Sequence, residues 1–127
     1  MIKLVFAWRD RPGMTAAECE AHYHETHMRL AREAFTGCDG FISLRYNRVR
    51  EFRVNDFNQP ESREAETDVN AWVELYFESD EKLQAAFGSP ELAAMFEDHV
   101  NFMATEEVEN IKIYRVEEEV ILEVAPI

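Results

Sequence analysis

The sequence predicts an α+β protein of the ferredoxin-like type, with a four-stranded antiparallel sheet that carries its helices on one face. Segments with strand-like and helix-like hydrophobic spacing follow one another in the order βαββαβ, which is the order of the split βαβ motif. The length of 127 residues fits one domain. A composition that is 46% hydrophobic supplies one core. We therefore expect a single domain over residues 1–127.

The first strand and the first helix are marked by strong local signals. Residues 2–9 mix aliphatic and aromatic side chains and end at a Pro-Gly turn. Thr15 and Glu18 have the spacing of a capping box, so a helix should run from there to about Ala34. At 100° per residue, its buried stripe would contain Ala16, Cys19, Tyr23, Thr26, Leu30 and Ala34, with His27 at the edge.

The middle of the chain predicts two strands separated by a loop. Residues 41–49 alternate as a strand does, and residues 50–67 are polar enough to predict a long surface loop. Residues 69–77 then alternate with a period of two. One face of this third strand would carry Val69, Ala71, Val73, Leu75 and Phe77, and the other Asn70, Trp72, Glu74, Tyr76 and Glu78.

The last third predicts a broken helix and a fourth strand. Ser79 or Asp80 can cap a helix that reaches Phe87. A second helix would span residues 91–103, with Ser89 as its cap and Pro90 in the first turn. Residues 111–116 predict the fourth strand, and a short apolar tail follows.

Helices on one face leave the other face of the predicted sheet uncovered. Trp72, Tyr76 and Tyr114 make that face apolar, and an apolar face of this size requires a cover. We therefore expect a homodimer, with the tail over residues 120–127 pairing with the partner subunit.

Composition excludes several classes of partner. Twenty-six acidic residues against 13 basic ones give a net charge of -13, so we expect no binding to nucleic acid or to anionic membranes. No signal peptide or membrane-spanning run is expected. Cys19 and Cys38 have no metal-ligand spacing, and two such thiols are typical of a cytoplasmic protein. Glu20, His24 and His27 could lie on one face of the first helix, but they do not form an HExxH motif, so no metal site is expected.

Segments spread over nearly the whole chain resemble one known family. The matching segments are Arg11-Pro12-Gly13-Met14-Thr15, His22-Tyr23 with His27, Gly40-Phe41, Tyr46-Asn47-Arg48-Val49, Asp68, Ala71 to Phe77, Ser89-Pro90-Glu91, and Asp98 with Phe102. In this order they resemble the EthD family of dimeric α/β-barrel proteins. The wider group includes muconolactone isomerases, polyketide cyclases and small monooxygenases, so the resemblance implies a small oxygenated substrate.

The resemblance and the residue chemistry together nominate two catalytic residues. His27 stands where the family has a histidine, and a neutral imidazole beside an apolar cleft can act as general acid or base. Tyr46 stands at the family's aromatic position, and its hydroxyl could hold a substrate oxygen. Either residue could instead have a purely structural role.

Further residues are expected to bind the substrate. Aromatic side chains suited to a flat or hydrophobic ligand are Trp8, Trp72, Tyr76 and Phe102. Glu74 shares a strand face with two of them and could act as a second acid or base. Asp98 and His99 precede Phe102 on the broken helix.

The leading hypothesis is a cofactor-independent enzyme that carries out isomerisation, cyclisation or elimination on a small hydrophobic or aromatic oxygenated compound. One alternative is a haem-binding or oxygen-using monooxygenase with His99 as the iron ligand. The other is a non-catalytic dimeric protein whose cleft only holds a ligand.

Overall fold

The computed structural model describes residues 1–106 and 110–127. The strands are β1 (Ile2–Trp8), β2 (Phe41–Arg48), β3 (Arg53–Val54), β4 (Arg63–Glu64), β5 (Ala71–Phe77) and β6 (Ile111–Val116). The α-helices are α1 (Ala16–His22), α2 (Met28–Phe35), α3 (Asp80–Phe87) and α4 (Ala93–Asp98). A π-helical segment, Tyr23–His27, joins α1 to α2, and 3₁₀ turns at Pro90–Leu92 and His99–Asn101 flank α4.

Four long strands form one antiparallel sheet in the order β2-β5-β1-β6. Strand β1 pairs with both β5 and β6, and β2 pairs with β5. This is the ferredoxin-like α+β fold, so the predicted class is confirmed. The third long strand begins at Ala71, two residues later than the alternation predicted.

The helix after β1 has the predicted capping box but a different buried stripe. The Thr15 side chain accepts from the Glu18 amide and the Glu18 carboxylate accepts from the Thr15 amide. The buried positions are Cys19, Tyr23, His27, Ala31, Ala34 and Phe35, and Ala16 is exposed. Cys19, Tyr23 and Ala34 are thus buried as predicted, whereas Thr26 and Leu30 are only partly buried. The stripe moves from these two positions to His27 and Ala31 because the Met28 amide donates to the Tyr23 carbonyl five residues back, and this wider turn changes the phase of the residues that follow it.

The second helical layer is less regular than the sequence predicted. The expected single helix over residues 91–103 is a short α-helix between two 3₁₀ turns. Ser89 stands at the N-cap position as predicted, but its side chain makes no capping hydrogen bond, because its hydroxyl donates backwards to the Ala86 carbonyl. Pro90 stands in the first turn as expected.

The predicted loop over residues 50–67 contains a small ribbon. Strands β3 and β4 pair antiparallel, Arg53 with Glu64 and Val54 with Arg63. The Arg53 guanidinium also donates to the Ser62 hydroxyl and carbonyl. These polar contacts order a segment that lacks the apolar alternation from which a strand is predicted.

Two apolar clusters fill the space between the sheet and the helices. One surrounds Phe77 and Leu92 and the other surrounds Trp8 and Phe102, all of which are almost fully buried. Within residues 1–106 and 110–127, every helix is too short or too polar to span a membrane.

The uncovered face of the sheet is more polar than predicted. Lys3 on β1 forms ion pairs of 2.8 Å with both Glu74 and Glu118. The Tyr76 hydroxyl donates to the same Glu118 carboxylate. Charged side chains alternate on this face with Trp72 and half-exposed Tyr114.

Candidate active site

A buried carboxylate joins two histidines between the helices. Asp98, at the end of α4, is only 6% exposed. Its Oδ2 atom lies 2.9 Å from His27 Nδ1, and its Oδ1 atom lies 2.8 Å from His22 Nε2. Asn101 also donates to Oδ1, at 2.9 Å. Three side chains therefore converge on one carboxylate.

The π-helical segment makes this arrangement possible. In a regular α-helix, residues five apart point roughly 140° away from each other. His22 and His27 are five apart, and the wider turn over Tyr23–His27 brings both side chains to Asp98. Segments of π-helix are found often at functional sites.

The carboxylate fixes which nitrogen of His27 carries the proton. Burial by itself would raise the pKa of Asp98, but the hydrogen bonds from Asn101, His22 and His27 together hold this pKa below its ordinary value of 3.8. An ionised carboxylate can only accept hydrogen bonds. His27 Nδ1–H must therefore donate to Asp98, which leaves the Nε2 lone pair of a neutral His27 free.

His27 is held neutral by its surroundings. It is 4% exposed, and burial lowers its pKa below 6.5 although the hydrogen bond and charge of Asp98 act to raise it. Its ring packs against Tyr23, His99 and Phe102, with the Phe102 centroid at 4.7 Å. A neutral imidazole oriented by a carboxylate is the pairing used by general bases.

A cavity of about 50 Å³ lies beside His27, where the two apolar clusters meet. This is several times the roughly 10–15 Å³ that one water needs. Besides aliphatic and phenylalanine side chains, its lining includes Trp8, Tyr23, His27 and His99. No lysine, arginine, aspartate or glutamate is among the described residues that line it, so the cavity suits a small neutral ligand.

A larger groove of about 490 Å³ adjoins the cavity between the helix and the edge strand β2. Tyr23, Ala31, Phe35 and Leu44 line both spaces. Tyr46 lines the groove and stacks on Tyr23 with a centroid separation of 3.9 Å. Burial raises the pKa of Tyr46, with Arg48 opposing, so its hydroxyl keeps its proton at neutral pH.

The aromatic residues nominated from the sequence divide between the two faces of the sheet. Trp8 lines the cavity, and Phe102 packs against both Trp8 and His27. Trp72, Glu74 and Tyr76 alternate with the buried residues of β5 and so lie on the opposite face. The structure does not bring these three residues together with His27.

Three residues of the site were not nominated from the sequence. His22 and Asn101 hold the Asp98 carboxylate, and Tyr23 lines the cavity. His22 and Asp98 are 76 positions apart in the sequence, and no local sequence pattern predicts a contact between residues so far apart. Tyr23 could have been found, because it already belonged to the predicted buried stripe.

The space around His99 does not fit a haem. Phe6, Phe96 and Phe102 surround the His99 ring with centroids at 5.4–6.1 Å. A cavity of about 50 Å³ is far smaller than a porphyrin. Among residues 1–106 and 110–127, no group of three His, Cys, Asp or Glu side chains has a geometry suited to a metal ion.

Comparisons with known proteins place this arrangement in context. A family model of the EthD domain matches residues 11–106. The fold is similar to that of an ethyl tert-butyl ether D (EthD) family protein from Bacillus halodurans, with 22% identity, a TM-score of 0.62, and coverage of 94% of this chain and 100% of that one. No curated protein matches the chain.

Two further solved structures share the fold at lower identity. A protein from Arabidopsis thaliana has 9% identity and a TM-score of 0.62, with 97% of this chain and 100% of that chain covered. A dimeric ferredoxin-like protein of unknown function from Jannaschia sp. CCS1 has 14% identity and the same TM-score, with 93% and 100% covered. At these identities the likeness concerns the fold alone.

Proposed function

The chain belongs to the EthD family, and we propose that it is an enzyme that moves a proton on a small, hydrophobic, oxygenated compound without a cofactor. The reaction would be an isomerisation, a cyclisation or an elimination. The observation that carries the proposal is the Asp98–His27 pair, in which Asp98 accepts from Nδ1 of a histidine that lines the apolar cavity.

His27 acts as the general base in this proposal. Its Nε2 atom takes a proton from a carbon of the ligand, and the resulting imidazolium is stabilised by the Asp98 carboxylate 2.9 Å from Nδ1. The low pKa of His27 keeps the imidazole neutral and ready at pH 7. Positioned bases of this kind contribute about 10²–10⁴-fold to a rate.

Tyr46 acts at the entrance. A ligand too large for the cavity would extend into the adjoining groove, where the protonated Tyr46 hydroxyl can donate to a substrate oxygen. The stacked Tyr23 and Tyr46 rings would give such a ligand a flat surface to pack against.

The proposal is tested by deuterium exchange. Cyclopentanone and a β,γ-unsaturated five-membered lactone are incubated in D₂O, and loss of the proton next to the carbonyl is followed by NMR. His27→Gln should lower the protein-catalysed rate at least about 100-fold. His24→Gln is the matched control, because His24 is half-exposed on the same helix and lies outside the cavity. Equal rates for the wild type and His27→Gln would contradict the proposal.

We also propose that the protein is a homodimer. The uncovered sheet face presents half-exposed Tyr114, and the tail exposes Ile121 and Leu122 almost completely. Large apolar side chains of this kind are usually covered by a partner. Light scattering should give twice the 14.9 kDa mass of the chain at micromolar concentration, and a monomer would contradict the assembly.

A further inference from the structure

His99 is a second histidine on the same cavity, and the proton-transfer step leaves it without a role. Its ring lies 5.1 Å from the His27 ring, centroid to centroid, and both side chains line the cavity. Unlike His27, it has no carboxylate partner among residues 1–106 and 110–127. Among the described residues, no side-chain nitrogen or oxygen is both buried and without a hydrogen-bond partner, so the His99 ring nitrogens keep some accessible surface.

We infer that His99 is a neutral hydrogen-bond donor to a substrate carbonyl, and that the substrate class is therefore a neutral ketone, ester or lactone with an acidic C–H next to that carbonyl. This inference rests on the proposed function. It extends that function by naming the side chain that stabilises the negative charge developing on the substrate carbonyl oxygen.

The chemistry of the cavity supports this assignment. Removing a proton next to a carbonyl moves an electron pair onto the carbonyl oxygen, and that oxygen then needs a hydrogen-bond donor. His99 stays neutral, because burial lowers its pKa to about 4. A neutral imidazole keeps one N–H and can donate it.

The alternative donors are placed less well. Tyr46 lines the groove but not the cavity. Trp8 and Tyr23 also line the cavity, so the Tyr23 hydroxyl is the competing donor that the test must separate from His99. No arginine or lysine is among the described residues of the lining, so a carboxylate ligand would have no counter-charge.

The step balances as an isomerisation. The C–H bond next to the carbonyl breaks, a new N–H bond forms at His27 Nε2, and the electron pair resides on the oxygen that His99 holds. In a β,γ-unsaturated substrate, return of the same proton from His27 to the γ carbon restores the carbonyl and shifts the double bond into conjugation with it. No oxidant, reductant or co-reactant is consumed.

The test compares two probes of the same shape. Cyclopentanone has a carbonyl oxygen where methylenecyclopentane has a CH₂ group, and NMR titration gives the dissociation constant of each. In His99→Phe the preference for the ketone should fall about tenfold, the value of one net hydrogen bond. His99→Gln, which keeps an N–H donor, should restore part of that preference. An unchanged preference in folded His99→Phe would overturn the inference.

Two further arms separate the competing explanations. Tyr23→Phe removes the phenol and should leave the preference unchanged, whereas a loss of preference in this variant instead of His99→Phe would make the hydroxyl the donor and overturn the inference. Cyclopentanecarboxylate should bind more weakly than the ketone, and tighter binding would overturn the assigned substrate class.

Failure of the proposed function gives a different result. His27→Gln should lower the rate of proton exchange at least about 100-fold but keep the preference for the ketone, because binding the oxygen does not require the base. If the preference depends on His99 while exchange is insensitive to His27, then the donor assignment stands and the proton-transfer proposal falls.

Discussion

Replacing Asp98 by Asn should reverse the protonation of the His27 ring without changing the shape of the site. Oδ1 accepts from two donors, His22 and Asn101, whereas within residues 1–106 and 110–127 Oδ2 accepts from His27 alone. An amide at this position therefore satisfies more donors if its oxygen replaces Oδ1 and its NH₂ group replaces Oδ2. The NH₂ group would then donate to His27 Nδ1, and the His27 proton would move to Nε2.

The expected consequences of Asp98→Asn follow from that reversal. With the proton on Nε2, His27 has no lone pair at that atom to accept a substrate proton, and the exchange rate should fall about 10²–10⁴-fold. The hydrogen bonds re-form without the charge of the carboxylate and are weaker, so the free energy of unfolding should fall by about 1–2 kcal/mol. The pKa of His27 should fall further, because both effects that raise it come from Asp98.

Long-range ¹H–¹⁵N NMR of the histidine rings distinguishes the two tautomers directly, and urea unfolding gives the stability. Glu97→Gln is the matched control, because it makes the same chemical change at an exposed neighbouring position. If His27 keeps its proton on Nδ1 in Asp98→Asn, or if the exchange rate stays at the wild-type value, the assignment of Asp98 as the orienting group is refuted.

Two other predictions concern stability. Leu92 is fully buried in the cluster around Phe77, so Leu92→Ala should lower the free energy of unfolding by about 2–5 kcal/mol in urea titrations, and a loss below about 1 kcal/mol would contradict the packing. His99 has a pKa of about 4 in the folded protein, against 6.5 when unfolded, so the unfolded state binds more protons between these values. This group alone should therefore cost up to about 3 kcal/mol of stability as the pH drops from 6.5 to 4, and in His99→Phe the total loss should be smaller by about that amount, with the contribution of His27 remaining.

The sequence predicts the sheet well because its signals are local. Alternation located three of the long strands to within about one residue at each end, and the Thr15–Glu18 capping box located the start of the helix. Each of these patterns depends on residues a few positions apart, so it predicts the element without knowledge of the tertiary contacts.

The geometry of the site could be predicted only in part. His27, Asp98 and His99 were each nominated, but their relation depends on one wide helical turn and on the end of α4. A π-helical segment has no distinctive residue pattern, and the contact between His22 and Asp98 spans 76 positions. For the same reason, Trp72, Glu74 and Tyr76 were grouped with a pocket that lies across the sheet from them.

The pH dependence of proton exchange tests the central role of His27 most directly. A base must be unprotonated to act, so the wild-type rate should be constant at neutral pH and fall only as the pH drops through an apparent pKa below 6.5. The inflection should be absent from the residual rate of His27→Gln. An inflection above 6.5, or one that persists in His27→Gln, would show that another group is the base.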